Sequence, residues 1–127
     1  MSELSISVLP GEYALCRLNP TDIIPSWIYL SAFYTISKSP DELSVVAETK
    51  FVAEGIKCDK DWKLLKIEAV LDLSLTGITA KFSTALANED INLCVIATYD
   101  TDYIMIKEEK LAKAKEALQY AGFIINP

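Results

Sequence analysis

The sequence predicts an α+β fold, and three observations carry that prediction. From Trp62 onward the apolar pattern changes period in the order strand, helix, strand, strand, helix, strand. Residues 11–60 give a trimmed version of the same order: strand, short helical turn, strand, strand and a remnant. Polar turns separate consecutive strand patterns, as at Ser39–Glu42 and Asp100–Thr101, so neighbouring strands reverse direction and the sheets are antiparallel. The full order is that of the split βαβ, ferredoxin-like βαββαβ unit. The chain therefore reads as two such units in tandem, the first trimmed, with subdomains at 1–60 and 61–127.

Each element has a local reason. Leu4 to Leu9 alternates at period two, Pro10-Gly11 is a turn signal, and Gly11 to Leu18 alternates again, so residues 4–18 read as a hairpin. Ala14, Cys16 and Leu18 share one face; Tyr13, Leu15 and Arg17 share the other. Asn19-Pro20 breaks the strand, and a short helical turn limited by Pro25 follows. Residues 32–38 and Leu43–Glu48 form a second hairpin around Ser39–Glu42. Residues 49–61 read as an irregular link, and Trp62 to Ala69 as a strand.

A helix comes next, with Leu75, Ile78, Thr79, Phe82, Ala85 and Leu86 recurring at three- and four-residue steps. Asp72 or Ser74 is its expected N-cap. Ile91 to Thr98 is apolar on both faces, which suits a central strand. Asp102 to Lys107 returns as its partner. Glu108 and Glu109 favour a helix start, Leu111, Ala114, Leu118 and Ala121 form its apolar stripe, and Gly122 stops it. Residues 123–125 are the last strand.

Composition limits what the protein does. Hydrophobic residues are 51% of 127, charged residues 24%, and the net charge is −6. The lysines at 107, 110, 113 and 115 are interleaved with Glu108, Glu109 and Glu116, a solvated helix face, so nucleic acid is not an expected partner. No apolar run reaches the roughly 20 residues of a membrane helix, and no signal peptide is apparent, so the expected compartment is the cytoplasm. Three cysteines without CxxC spacing argue against a disulfide framework. There is no histidine, which removes the commonest general base and metal ligand. No cofactor or metal is expected.

Two polar segments flank the strongest hydrophobic elements: Leu71–Gly77 and Thr98–Glu109. At a helix start several backbone N–H groups lack partners, and the helix dipole adds positive partial charge, which suits a carboxylate. Asp72, Ser74, Leu75, Thr76 and Gly77 are the candidates there. Asp100, Thr101 and Asp102 offer carboxylates that suit an ammonium group. Together they match an amino-acid zwitterion. The plain alternative is that Asp72 and Ser74 only cap a helix while Asp100 and Asp102 only make a turn. In a single unit the two turns can also fall at different ends, so an interface with a second unit is a way to join them.

The stretch from Trp62 to Glu109, with LDLSLTG and TYDTDYIMIKEE in that order and separation, resembles ACT-domain proteins of the short, stand-alone tandem type. GEYALCRL, IPSW and SKSPDELSVV extend the resemblance into the first half. Where the pattern has Gly-Pro before the Leu-Asp pair, this chain has Ala69-Val70, which alters the approach to the helix. The resemblance implies ferredoxin-like regulatory modules that pair side by side and bind small molecules, most often amino acids, at the interface. It implies ligand contacts in the loop that matches Asp72 to Gly77. A related tandem architecture occurs in the cytosolic arginine sensor of animals and in aspartokinase regulatory regions.

The expected function is thus a non-catalytic module, a homodimer, that binds an amino acid. The backbone N–H groups of Leu75, Thr76 and Gly77 would hold its carboxylate, and Asp100 or Asp102 its amine. The alternative is a protein-interaction or structural module without a ligand. Catalysis by Asp72, Asp100 and Asp102 lacks an evident nucleophile.

Overall fold

The structure, a computed structural model, describes residues 4–68 and 77–127. Its strands are β1 (Ser5–Val8), β2 (Tyr13–Leu18), β3 (Thr35–Lys38), β4 (Leu43–Glu48), β5 (Lys57–Glu68), β6 (Cys94–Ala97), β7 (Asp102–Lys107) and β8 (Ile124–Ile125). The helices are α1 (Ile78–Ala87) and α2 (Leu111–Tyr120), with 3-10 turns at Ser26–Leu30, Thr49–Phe51 and Glu108–Lys110. Contacts divide the chain into two compact units, Gly11–Trp62 and Met1–Pro10 with Lys63–Pro127. No helix among the described residues is long and apolar enough to cross a membrane.

In the first unit β4 lies between β3 and β2, and β2 also pairs with the opening residues of β5, all antiparallel. The β3–β4 hairpin forms around its expected turn. The Ser39 hydroxyl accepts from the N–H groups of Asp41 and Glu42, both at 3.2 Å, which holds the reversal. Ala14, Cys16 and Leu18 point into a core with Ile28, Leu43, Val45 and Ala47. Trp27 packs on that core from its 3-10 turn.

Glu48, at the end of β4, is buried and anchored. Its carboxylate accepts from the Ala32 N–H at 2.7 Å and pairs with Lys50 at 3.5 Å. Its own N–H donates to the Ser31 hydroxyl at 2.9 Å, and that hydroxyl donates to the Phe33 carbonyl at 2.6 Å. The loop at 31–33 is thereby tied to β4. Arg17 makes no carboxylate clamp of the kind its residue type allows; its guanidinium donates to the Asp41 carbonyl oxygen at 3.2 Å.

The second unit has the helices and strands of a ferredoxin-like fold with one strand added. β7 pairs with β6 on one side and β5 on the other, and β1 lies between β5 and β8. β1 is antiparallel to β5 and parallel to β8. Ile6, Leu65, Ile67, Ile104 and Ile106 from the strands meet Ile78, Phe82, Leu86, Ala114 and Leu118 from the helices in one core. Leu75 lies outside the described residues; the rest of both helix stripes is as the periodicity predicts, except that Thr79 is exposed.

Both helices end in a left-handed residue. Gly122 (φ 102) stops α2, and the Phe123 N–H donates back to the Leu118 carbonyl at 3.0 Å. Asp90 (φ 56) does the same for α1, with Ile91 donating to Leu86 at 3.0 Å.

Four expectations are corrected. Residues 4–18 are not a hairpin: β1 pairs with the closing residues of β5 and β2 with its opening residues, rather than with each other. The first ten residues, expected with 1–60, pack with the C-terminal unit instead. The link at 49–61 is not irregular throughout. β5 begins at Lys57, and a bulge lets Lys60 and Asp61 face Ala14, with Asp61 left-handed at φ 68. Lastly, the strand within 91–98 is no central one: β6 pairs with β7 alone among the described residues, and Val95 is 43% exposed.

Candidate ligand site

α1 begins later than its sequence pattern suggests. The expected caps, Asp72 and Ser74, lie outside the described residues, as do Leu75 and Thr76. The residue at the N-cap is Gly77, with φ 88 and ψ 0 and no side-chain cap. Its carbonyl accepts the first helical bond, from the Lys81 N–H at 2.9 Å. The N–H groups of Gly77, Ile78, Thr79 and Ala80 therefore have no acceptor further back within the helix. Of the three amides named from sequence, Gly77 belongs to this set, and Leu75 and Thr76 lie outside the described residues.

Gly77 has one physical reason for lacking a side chain. A φ of 88 is strained for an L residue with a Cβ. A Cβ there would meet no atom within 4 Å, so the space over the helix start is open. The glycine is required by the backbone angle, not by close packing of the protein against it.

The β6–β7 turn closes over Thr98 to Thr101. The Thr101 carbonyl accepts from both the N–H and the hydroxyl of Thr98, at 2.8 and 2.9 Å. Asp100 is exposed at the tip next to Tyr99. Thr101 is half-buried and serves the turn. Asp102 opens β7, opposite Ala97, and its carboxylate accepts from the Thr79 hydroxyl at 3.4 Å. That distance is long for an O–H···O bond, but it fixes the arrangement: Asp102 lies beside the first turn of α1.

The structure thus brings Gly77 and Asp102 to the same end of one unit, without a second unit to join them. It leaves Asp100 and Thr101 on the turn. The sequence pattern did not single out Thr79, which was counted with the apolar stripe. Its signal was available: a hydroxyl side chain two residues after a glycine, at the start of a helix whose other stripe residues are apolar.

A groove of about 780 Å³ runs between α1 and α2. Ala80, Thr84, Ala85, Ala117 and Tyr120 are among its lining residues, and Lys113 pairs with Glu89 at 3.8 Å along it. Among the described residues it touches the sequence-predicted ones only at Gly77. The groove owes its width to small residues on the outer helix faces.

Residues 57–120 match the model of the ACT domain. Residues 11–54 match a second model, of an N-terminal domain. No curated protein matches at a significant level. A crystal structure of a protein from Agobacterium tumefaciens has a TM-score of 0.93 at 25% identity, over 99% of this chain and 94% of that one. A protein of unknown function from Vibrio cholerae, called a possible transport protein, has a TM-score of 0.78 at 26% identity, over 94% and 91%. The regulatory subunit of aspartate kinase from Thermus flavus has a TM-score of 0.68 at 14% identity, over 95% and 99%, a likeness of fold. With just over half of its residues matched by the ACT-domain model, and the strands and helices of that fold in place, the chain belongs to the ACT-domain family.

Proposed function

We propose that this chain is a non-catalytic regulatory module that binds an amino acid at the N-terminal end of α1. One observation carries the reading: Asp102 stands beside the first turn of that helix, hydrogen-bonded to Thr79. Amides and dipole there favour a carboxylate, and the Asp102 carboxylate favours an ammonium group, so opposite charges of a zwitterion find opposite partners. Asp72, Ser74, Leu75 and Thr76 complete the site from the preceding loop. Asp100 and Thr101 shape the turn that presents Asp102.

The chain acts in the cytoplasm as a homodimer. β6 offers the surface for it, a strand edge of Cys94, Val95, Ile96 and Ala97 with no charged residue to discourage addition of another strand. Binding at a site near that edge would favour one packing of the two copies, and that preference is the signal. The unit Gly11–Trp62 and the unit that holds α1 and α2 are both ACT-like, the first trimmed.

Calorimetry of the full chain against the common amino acids tests the reading. One of them binds, and Asp102→Ala weakens it at least tenfold while the melting temperature stays within a few degrees. Heat silence with all of them at millimolar concentration overturns it.

A second reading, a protein-interaction module without a ligand, is favoured by a specific patch. Ile23 is 92% exposed, and Ile24, Tyr29, Leu30 and Tyr34 are exposed near it in sequence. Exposed apolar side chains in such number mark contact surfaces. Under that reading Asp102→Ala leaves partner capture unchanged and Tyr29→Ser abolishes it.

A further inference from the structure

Two of the three cysteines face one another. Cys16 on β2 is directly opposite Cys58 on β5, and the flanking pairs Leu15 with Asp59 and Arg17 with Lys57 keep regular register on either side. Opposite residues of an antiparallel ladder send their side chains to the same face, with Cα atoms about 4.5–5.5 Å apart. A disulfide needs roughly 4.4–6.8 Å. The two side chains are close enough to influence each other electrostatically. Cys58 packs on the core cluster that holds Cys16. Cys16 is 1% exposed, whereas Cys58 is half-buried. Cys58 is therefore the more accessible residue of the pair, and Cys16 lies directly across the ladder from it.

We propose that Cys16 and Cys58 are a reversible dithiol–disulfide pair, oxidised by a low-molecular-weight disulfide. Cys58 loses its proton to solvent, and its thiolate attacks one sulfur of the oxidant. The oxidant's S–S bond breaks and its first thiolate leaves, taking a proton from water. Cys16 then loses its proton and attacks the Cys58 sulfur. The mixed S–S bond breaks and the second thiol leaves. Two protein thiols have been oxidised to one disulfide, and one small disulfide has been reduced to two thiols.

Burial and the neighbouring Cys58 sulfur push the Cys16 thiol from its ordinary 9.0 up to about 11, so the second attack is the slower one at neutral pH. The bond is built for reversal. Opposite Cβ atoms sit about 4.5–5.5 Å apart across a ladder, but a disulfide draws them to about 3.8 Å. That strain makes it easier to reduce than a structural disulfide. In a reducing compartment the pair rests as thiols and closes when the small-thiol pool is oxidised.

The test treats the full chain with oxidised glutathione and maps peptides under non-reducing conditions. Free thiols fall from three to one, the 16–58 cross-linked peptide appears, dithiothreitol restores all three, and Cys94→Ser changes none of this. Oxidised protein melts several degrees higher. Cys58→Ser, which alters the half-buried partner and spares the core thiol, keeps its fold by circular dichroism and forms no cross-link. Glutathione retained on Cys58 without closure, a cross-link that runs to Cys94, or three thiols surviving the oxidant each overturns the proposal.

Discussion

Replacing Gly77 by alanine separates the two jobs of the helix start. The backbone there is left-handed, with φ 88. An L residue in that region costs about 1–2 kcal/mol. The loss of unfolded-chain freedom on replacing glycine returns about 0.4–1 kcal/mol. A Cβ meets nothing within 4 Å, so no clash is added. The net is a destabilisation of about 1 kcal/mol. For 127 residues, at roughly 2.1 cal/mol/K each, the unfolding entropy near the midpoint is about 0.27 kcal/mol/K, so the melting temperature falls by about 4 °C. The ligand loses more, because the new methyl occupies the open space in front of the amides. Thermal melts with calorimetry on the same samples read both quantities, and the affinity falls at least tenfold. Gly77→Asn recovers part of the stability, since Asn tolerates the left-handed region, but not the binding. A loss above about 3 kcal/mol would show that packed atoms fill this space, contrary to the geometry argued here. Unchanged affinity in a well-folded variant would remove Gly77 from the site.

Three further outcomes follow from the packing. Ile6 is fully buried between β5 and β8, so Ile6→Ala costs about 2–5 kcal/mol in urea unfolding, and a fragment of residues 61–127 without β1 fails to give a cooperative melt. Ser31→Ala removes the acceptor of the Glu48 N–H and costs about 1–3 kcal/mol, with the larger effect if no water replaces the hydroxyl. Cys16 gives a pH signature: its proton is held more tightly folded than unfolded, so its contribution is fully present below about pH 9 and is lost as pH rises through about 11. Urea midpoints across that window should fall by an amount on the order of 1–3 kcal/mol in stability, and Cys16→Ala should flatten the slope.

What could be read from the sequence was whatever a local pattern encodes. The β3–β4 hairpin was legible because Ser39, Pro40 and Asp41 supply turn chemistry at one place. The end of α2 was legible because Gly122 can adopt the left-handed angle. Helix faces were legible because Phe82, Leu86, Ala114 and Leu118 recur at helical spacing. Strand partners were not. Period two says which residues share a face and nothing about which strand lies alongside. Ile6 was correctly read as a strand residue and wrongly assigned to β2, because Pro10-Gly11 resembles a hairpin turn. The first residues of β5, Lys57 to Asp61, have poor strand propensity and owe their conformation to the ladder with β2. For β6, an apolar run looked the same as a central strand, although its position is an edge.

The meeting of Asp102 with α1 was within reach of the sequence, but only through topology. β7 pairs with β5, and in the antiparallel sheet that the element order predicts, neighbouring strands run in opposite directions. In the ferredoxin-like order the helix after a strand starts at the end where that strand stops. β7 begins at that same end, since it runs the other way. The turn between β6 and β7 is therefore expected near the start of α1, where Asp102, the first residue of β7, accepts from the Thr79 hydroxyl. Asp100 falls on the exposed part of the turn, two residues too early. The choice between the two acids, which residue type and spacing leave open, is decided by strand direction. That direction also identifies Thr79 as the helix residue that answers Asp102, and it keeps the proposed site within one unit.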